Sequence, residues 1–202
     1  MAAIRRRGPQ IGGGTKLRGL ELWLFFYTIE VIGAFSKMRS SMEILWEYAV
    51  AAGLIGTALM TVAIVAGKLM GLASDMVRIL GLAFVSEEHP RRVYGVGLIV
   101  HFAFGALFGI LYAVALTAVG AAGLVGMAAA WGAVFGALHG VAVGGALGAL
   151  PVVHPRMGSG QVLQPPGFFG RDIGVGMPVA LILLHIIYGV TAGVVYSVGV
   201  LS

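Results

Sequence analysis

The sequence predicts an all-α integral membrane protein: four transmembrane helices arranged as two duplicated hairpins, preceded by an N-terminal interfacial helix. Three observations carry that prediction. Of 202 residues, 59% are hydrophobic and 10% charged. A soluble domain carries about 25% charged residues, so this chain lacks the polar groups to cover its own surface, and lipid must cover part of it. Second, Gly132, Gly136, Gly140, Gly144 and Gly148 recur at four-residue steps within one apolar stretch. In a soluble helix each would cost ~1 kcal/mol relative to Ala. Between membrane helices there is no hydrophobic drive for pairing; close backbone approach takes its place, and glycine permits it. Third, an internal repeat relates the second and fourth apolar stretches.

The elements follow in order. Residues 1–18 are basic and glycine-rich, with Arg5, Arg6, Arg7, Lys16 and Arg18. Such a tail has too little apolar surface to order itself, so it is expected to lie against another subunit or anionic headgroups. Residues 19–38 are aromatic-rich and interrupted by Glu21 and Glu30. They read as an interfacial helix, with Trp23 and Tyr27 at headgroup depth, and the lack of a small-residue cleavage site argues against a signal peptide. Together, residues 1–42 form one unit and residues 43–202 the transmembrane domain. Ser40-Ser41-Met42-Glu43 has the form of a capping box and should start the first span, over about 43–71. The connection 72–93 opens on Ser74-Asp75, a helix N-cap pattern, followed by the amphipathic Met76–Phe84. The second span covers about 94–119 and the third about 124–150, joined by a short turn at Gly120–Gly123 as a tight hairpin. Residues 151–175 hold four prolines, and a connection of that length is functional, docked or disordered. The fourth span covers about 176–201.

The repeat aligns His101-x3-Gly105-x3-Gly109-x2-Tyr112-x-Val114 with His185-x3-Gly189-x3-Gly193-x2-Tyr196-x-Val198 at a constant offset of 84 residues, from 101 to 185. The same offset carries Gly56 onto Gly140. Only five residues are His and six Tyr, so the match in register is unlike a coincidence of glycines. It predicts a duplicated hairpin, 43–119 and 124–201, related by a pseudo-two-fold axis along the membrane normal. On a helix Gly105 lies ~40° and Tyr112 ~20° from His101. One face therefore carries all three, and it should turn towards protein.

The run Gly56-Thr57-Ala58-Leu59-Met60-Thr61, with the two H-x3-G-x3-G-x2-Y helices, resembles an uncharacterised family of bacterial four-helix integral membrane proteins. The resemblance covers roughly residues 50–200. It implies the four-helix fold and no established activity.

Candidate chemistry rests on histidine. His101, His139 and His185 fall at comparable depth, ~10, ~17 and ~14 Å from one membrane face at 1.5 Å per residue. Neutral imidazole is a common metal ligand, so these three are the candidate cofactor-binding residues, with haem or a chlorin as the cofactor. The competing reading has each imidazole hydrogen-bonded to a carbonyl or Tyr hydroxyl, pinning helices together. With no cysteine, disulfides, iron–sulfur clusters and covalent haem attachment are excluded. Glu87-Glu88-His89 has metal-ligating residue types but reads as a solvated loop. Lys68 should snorkel to the interface. No catalytic residues and no phosphate loop or dinucleotide fingerprint are recognisable, so no enzyme activity is expected. Gly105, Gly109, Gly189, Gly193 and the five ladder glycines read as helix-packing positions.

Three functions are therefore in contention. The first is a non-catalytic accessory or structural subunit of a larger respiratory or photosynthetic membrane complex, its partners being other integral membrane subunits and lipids, with no nucleic acid. The second is a haem- or chlorin-binding electron-transfer protein using His101, His139 and His185. The third is a small transporter or channel; the spans lack the mid-membrane polar residues and broken helices such proteins use. The expected location is the bacterial inner membrane. Seven of the thirteen Lys and Arg lie in the first 42 residues, which by the positive-inside rule favours a cytoplasmic N-terminus.

Overall fold

A computed structural model describes residues 28–29, 43–71, 75–154, 157 and 165–202. The basic tail and most of the aromatic segment 19–38 lie outside the described residues; Thr28 and Ile29 within that segment are helical. Among the described residues the domain from Ile44 to Ser202 is all-helical. It comprises α1 (Trp46–Leu69), a short α2 (Met76–Leu82), α3 (Pro90–Ala118), α4 (Val125–Val153), a 3₁₀ turn (Phe168–Gly170) and α5 (Met177–Leu201). The four long helices, α1, α3, α4 and α5, are long and apolar enough to cross a membrane. Large apolar side chains such as Val62, Ile99, Leu138 and Leu183 project outward, as lipid-facing residues must.

Glycine sets which helices touch. A Cβ at Gly53 would run into the Gly105 carbonyl, and one at Gly109 into Ala49 and Gly53, so α1 and α3 meet backbone to backbone. In the same way Gly132 faces Gly189, Gly136 faces the His185 carbonyl, and Gly193 faces Ala128, which brings α4 against α5. α1 also packs on α5, where Gly56 faces the Tyr188 ring and Gly199 faces Tyr48. Gly56 and Gly140 do not share an environment, since Gly140 meets Ile182 and His185.

The turn between α3 and α4 places Gly120 and Gly123 at positive φ, 70° and 77°. Despite that short link the two helices are not a closely packed hairpin. Their glycine faces turn to α1 and α5 instead, and they meet through ring contacts: Phe108 stacks on His139 at 3.8 Å, and Tyr112 meets Phe135 edge-on at 6.1 Å. A gap therefore remains between α3 and α4.

Two helix ends depart from expectation. Glu43 is not helical, and α1 starts at Trp46 behind an extended Leu45 without a side-chain cap. A capping box contributes about 1 kcal/mol, whereas burying an Ile or Leu side chain contributes about 1.5–3 kcal/mol. Ile44 and Leu45 both pack on the core, so the chain enters extended. At the other end α4 runs through Pro151 to Val153. The His154 amide closes the last turn on the Leu150 carbonyl at 2.8 Å. The buried His154 ring then holds this extension, donating from Nε2 to the Ile79 carbonyl at 3.1 Å and accepting at Nδ1 from the Met157 amide at 3.2 Å.

The two long connections return to the bundle. Gly81 and Gly97 let α2 lie directly on the start of α3, facing Val93 and Val77. Asp75 caps α2, its Oδ1 accepting from the Arg78 amide at 3.2 Å. Its Oδ2 takes Lys68 Nζ at 2.7 Å and the Tyr94 hydroxyl. Lys68 is thus tied to Asp75 and lies 5.7 Å from the Tyr94 ring centroid. Arg78 pairs with Glu87. In the second connection Phe169 adopts a left-handed conformation, φ 57° and ψ 20°, which is strained for a bulky residue. It lays its ring on Gly144 while Phe168 covers Gly148. The five-glycine ladder is therefore divided: Gly132, Gly136 and Gly140 receive α5, and Gly144 and Gly148 receive two phenylalanine rings.

Candidate functional site

The gap between α3 and α4 continues inward as a cavity of about 400 Å³. It reaches α1 at Thr57, Met60 and Ile64, α2 at Ile79, and α5 at Leu181 and Tyr188. His101, His139 and His185 all line it. The sequence expectation placed them on three helices at similar depth, and they do border one space.

Their environments differ. His139 and His185 meet edge-to-face, with ring centroids 4.6 Å apart at 72°. His185 is buried, and its Nδ1–H donates to the Leu181 carbonyl at 2.7 Å. In the neutral ring that leaves Nε2 as the lone-pair nitrogen. The Tyr112 hydroxyl lies 3.5 Å from Nδ1 of His139. A hydroxyl donating there puts the His139 proton on Nε2. His101 is set apart: its Nε2 is closed off from solvent and has no hydrogen-bond partner among the described residues. Among the described residues, no three His, Cys, Asp or Glu side chains are grouped closely enough to hold a metal ion. Glu87, Glu88 and His89 form no such group.

Tyr188 lines the cavity, and Tyr112 packs behind it. Tyr112 and Tyr188 meet at 5.4 Å and 86°, and each lies 6.1 Å from His139. The Tyr188 hydroxyl donates to the Gly105 carbonyl at 2.7 Å, and the Thr57 hydroxyl to the Gly53 carbonyl at 2.8 Å. Both hydroxyl protons are committed to the backbone, so the imidazoles are the polar groups left to meet a ligand. Most of the remaining lining is aliphatic, aromatic or methionine. At the mouth stand Phe104 on α3 and Ala146 on α4, both exposed on the outer surface of the bundle. The cavity therefore reaches the outer surface of the bundle beside Phe104 and Ala146.

Sequence reasoning identified the three histidines and missed Tyr188, Thr57 and the gap itself. Tyr188 follows His185 by three residues, within one turn and ~60° around the helix, so its sharing the face was readable. No protein-family model, curated protein or solved structure matches this chain.

Proposed function

We propose that this protein is a non-catalytic subunit of a larger membrane complex, respiratory or photosynthetic, and that it holds a hydrophobic ring-bearing cofactor. The lateral cavity with its imidazole pair carries the reading. Concave apolar spaces of ~300–1,000 Å³ with a few convergent polar groups are the usual form of small-molecule sites. Haem and chlorin are the histidine-ligated candidates, with His185 Nε2 as the available ligand nitrogen. A set using all three histidines is not supported, because Nε2 of His101 is walled off. An absorbance spectrum of the purified protein, with mass analysis of its organic extract, tests the reading. Recovery of a stoichiometric ring-bearing molecule is expected; a clean extract from protein isolated in native lipid would overturn it.

Membership of a complex has separate support. On the outer face of α4, Ala142 and Ala149 are exposed, and nothing lies within 4 Å of a Cβ placed on Gly145. Small residues on an outward face allow another helix to approach closely. Gly145→Leu together with Ala149→Leu is expected to release the protein from its partners without unfolding it.

The reading includes a duplicated origin for the two hairpins. Its support is that matching contacts recur: Gly109 on Ala49 and Gly193 on Ala128, Gly53 on Gly105 and Gly132 on Gly189. These pair the first helices at an offset of 79 residues (49 to 128, 53 to 132), whereas the second helices pair at 84. The five-residue difference belongs to the longer second connection. The counterpart of the α1–α5 contact would be α3–α4, where the cavity lies, so the matching contacts are those within the hairpins. We further place the protein in the bacterial inner membrane with a cytoplasmic N-terminus and an interfacial helix at 19–38. The Ser202 hydroxyl donates to the Tyr48 hydroxyl at 3.0 Å, so the C-terminus shares the side on which α1 begins. A reporter fused after Ser202 should then be cytoplasmic.

A further inference from the structure

We propose that the cavity is a binding site for the head group of a lipid-soluble quinone, entering sideways from the bilayer between α3 and α4. This rests on the ligand-binding reading above and names its ligand class. Four observations converge on it.

First, the polar groups left over in the cavity are two adjacent imidazoles. With the Tyr112 hydroxyl donating to Nδ1 of His139, that ring carries its N–H at Nε2, while the Leu181 carbonyl at Nδ1 of His185 leaves a lone pair at Nε2. A quinone carbonyl accepts from the first, and a hydroquinone hydroxyl donates to the second, so the pair can receive the head group in either oxidation state. Second, the tyrosine and threonine hydroxyls that would compete for a polar ligand donate to Gly105 and Gly53 carbonyls. Third, about 400 Å³ suits a single substituted ring with the start of its tail rather than a macrocycle of four pyrroles, and the imidazoles do not form a metal-ligating set of three. Fourth, the lining towards the mouth is apolar, with Phe104, Val143, Ala146 and Leu150. That is the surface a prenyl chain needs on its way from head group to lipid, and a lateral opening lets the chain stay in the membrane.

The test uses decylubiquinone titrated into the full-length protein in lipid nanodiscs, with empty nanodiscs as the partition control. Saturable one-to-one binding is expected. Losing one buried hydrogen bond weakens binding about fivefold, so His139→Leu and His185→Leu should each do so. Val143→Trp should abolish binding by filling the cavity, and Gly95→Ala, on the outside of α3 with open space around it, should leave affinity unchanged. Photolabelling of the unaltered protein with an azido-quinone provides a second readout that no misfolded variant can obscure. Label on the cavity-lining His139, Val143, Leu147, Leu181, His185 and Tyr188 is expected. Binding no greater than to empty nanodiscs, or label confined to outward positions such as Leu138 and Leu183, overturns the proposal. Recovery of a haem or chlorin from the native protein also overturns it while leaving the cofactor-binding reading intact. An extract containing no ring-bearing molecule, with no quinone binding, removes both.

Discussion

The Tyr188 hydroxyl donates to the Gly105 carbonyl oxygen at 2.7 Å, across 83 residues of sequence. The bond joins α5 to α3 in the wall of the cavity. It also orients the Tyr188 ring against His139 and Tyr112.

Tyr188→Phe should therefore lower stability by about 1 kcal/mol, the usual net value of one buried hydrogen bond. The expected result is a modest fall in Tm in detergent, with the helical signal unchanged. An unaltered Tm would show that the bond contributes nothing to the α3–α5 contact.

Glycine substitutions should divide by environment rather than by sequence pattern. A Cβ at Gly136 meets the His185 backbone, and one at Gly189 meets Gly132 and Gly136. Backbone cannot yield as a side chain can, so Gly136→Ala and Gly189→Ala should each cost ~1–3 kcal/mol or more through forced separation. Gly95→Ala, with open space, should be neutral or stabilise by up to ~1 kcal/mol through helix propensity. Thermal melts of the three variants decide the matter; equal behaviour would refute the division.

Gly144→Ala is expected to act at a distance from the helix contacts. The added methyl group meets the Phe169 ring, whose left-handed backbone is held by that seat. With the ring displaced, the strain at Phe169 has no compensation, and residues 165–176 should loosen. Hydrogen exchange should rise in that segment and stay unchanged in α1. Uniform exchange rates would mean that the ring does not anchor the turn.

Acid should weaken the corner held by Asp75. Partial burial raises the Asp75 carboxyl, but bonds from Lys68, Tyr94 and the Arg78 amide outweigh it and hold it below its ordinary 3.8. A carboxylate with a depressed folded value contributes stability that is fully present above the unfolded value and lost as pH falls through the folded one. Melting temperature should therefore drop as pH falls below about 3.8. In Asp75→Asn that part of the pH dependence should disappear. An identical acid profile in both proteins would assign the acid sensitivity to other carboxylates.

What the sequence determined by itself is the set of elements. Long apolar runs separated by glycine, proline and charge are legible because a span must be both helical and apolar over its whole length. All four lie within a few residues of their expected limits, and Asp75 caps α2 as its residue type implies. The ends that moved did so where burial of Ile44 and Leu45, or the His154 ring on Ile79, outweighed a local signal. The tertiary structure alone decided the partners. Periodicity says that five glycines share a face; it does not say that α5 fills three of them and Phe168 and Phe169 the other two. Sequence adjacency put α3 beside α4, but glycine-to-backbone contact drew each towards a different helix. The cavity between them is the consequence, because a helix can bring its backbone close only to the neighbours its small residues face.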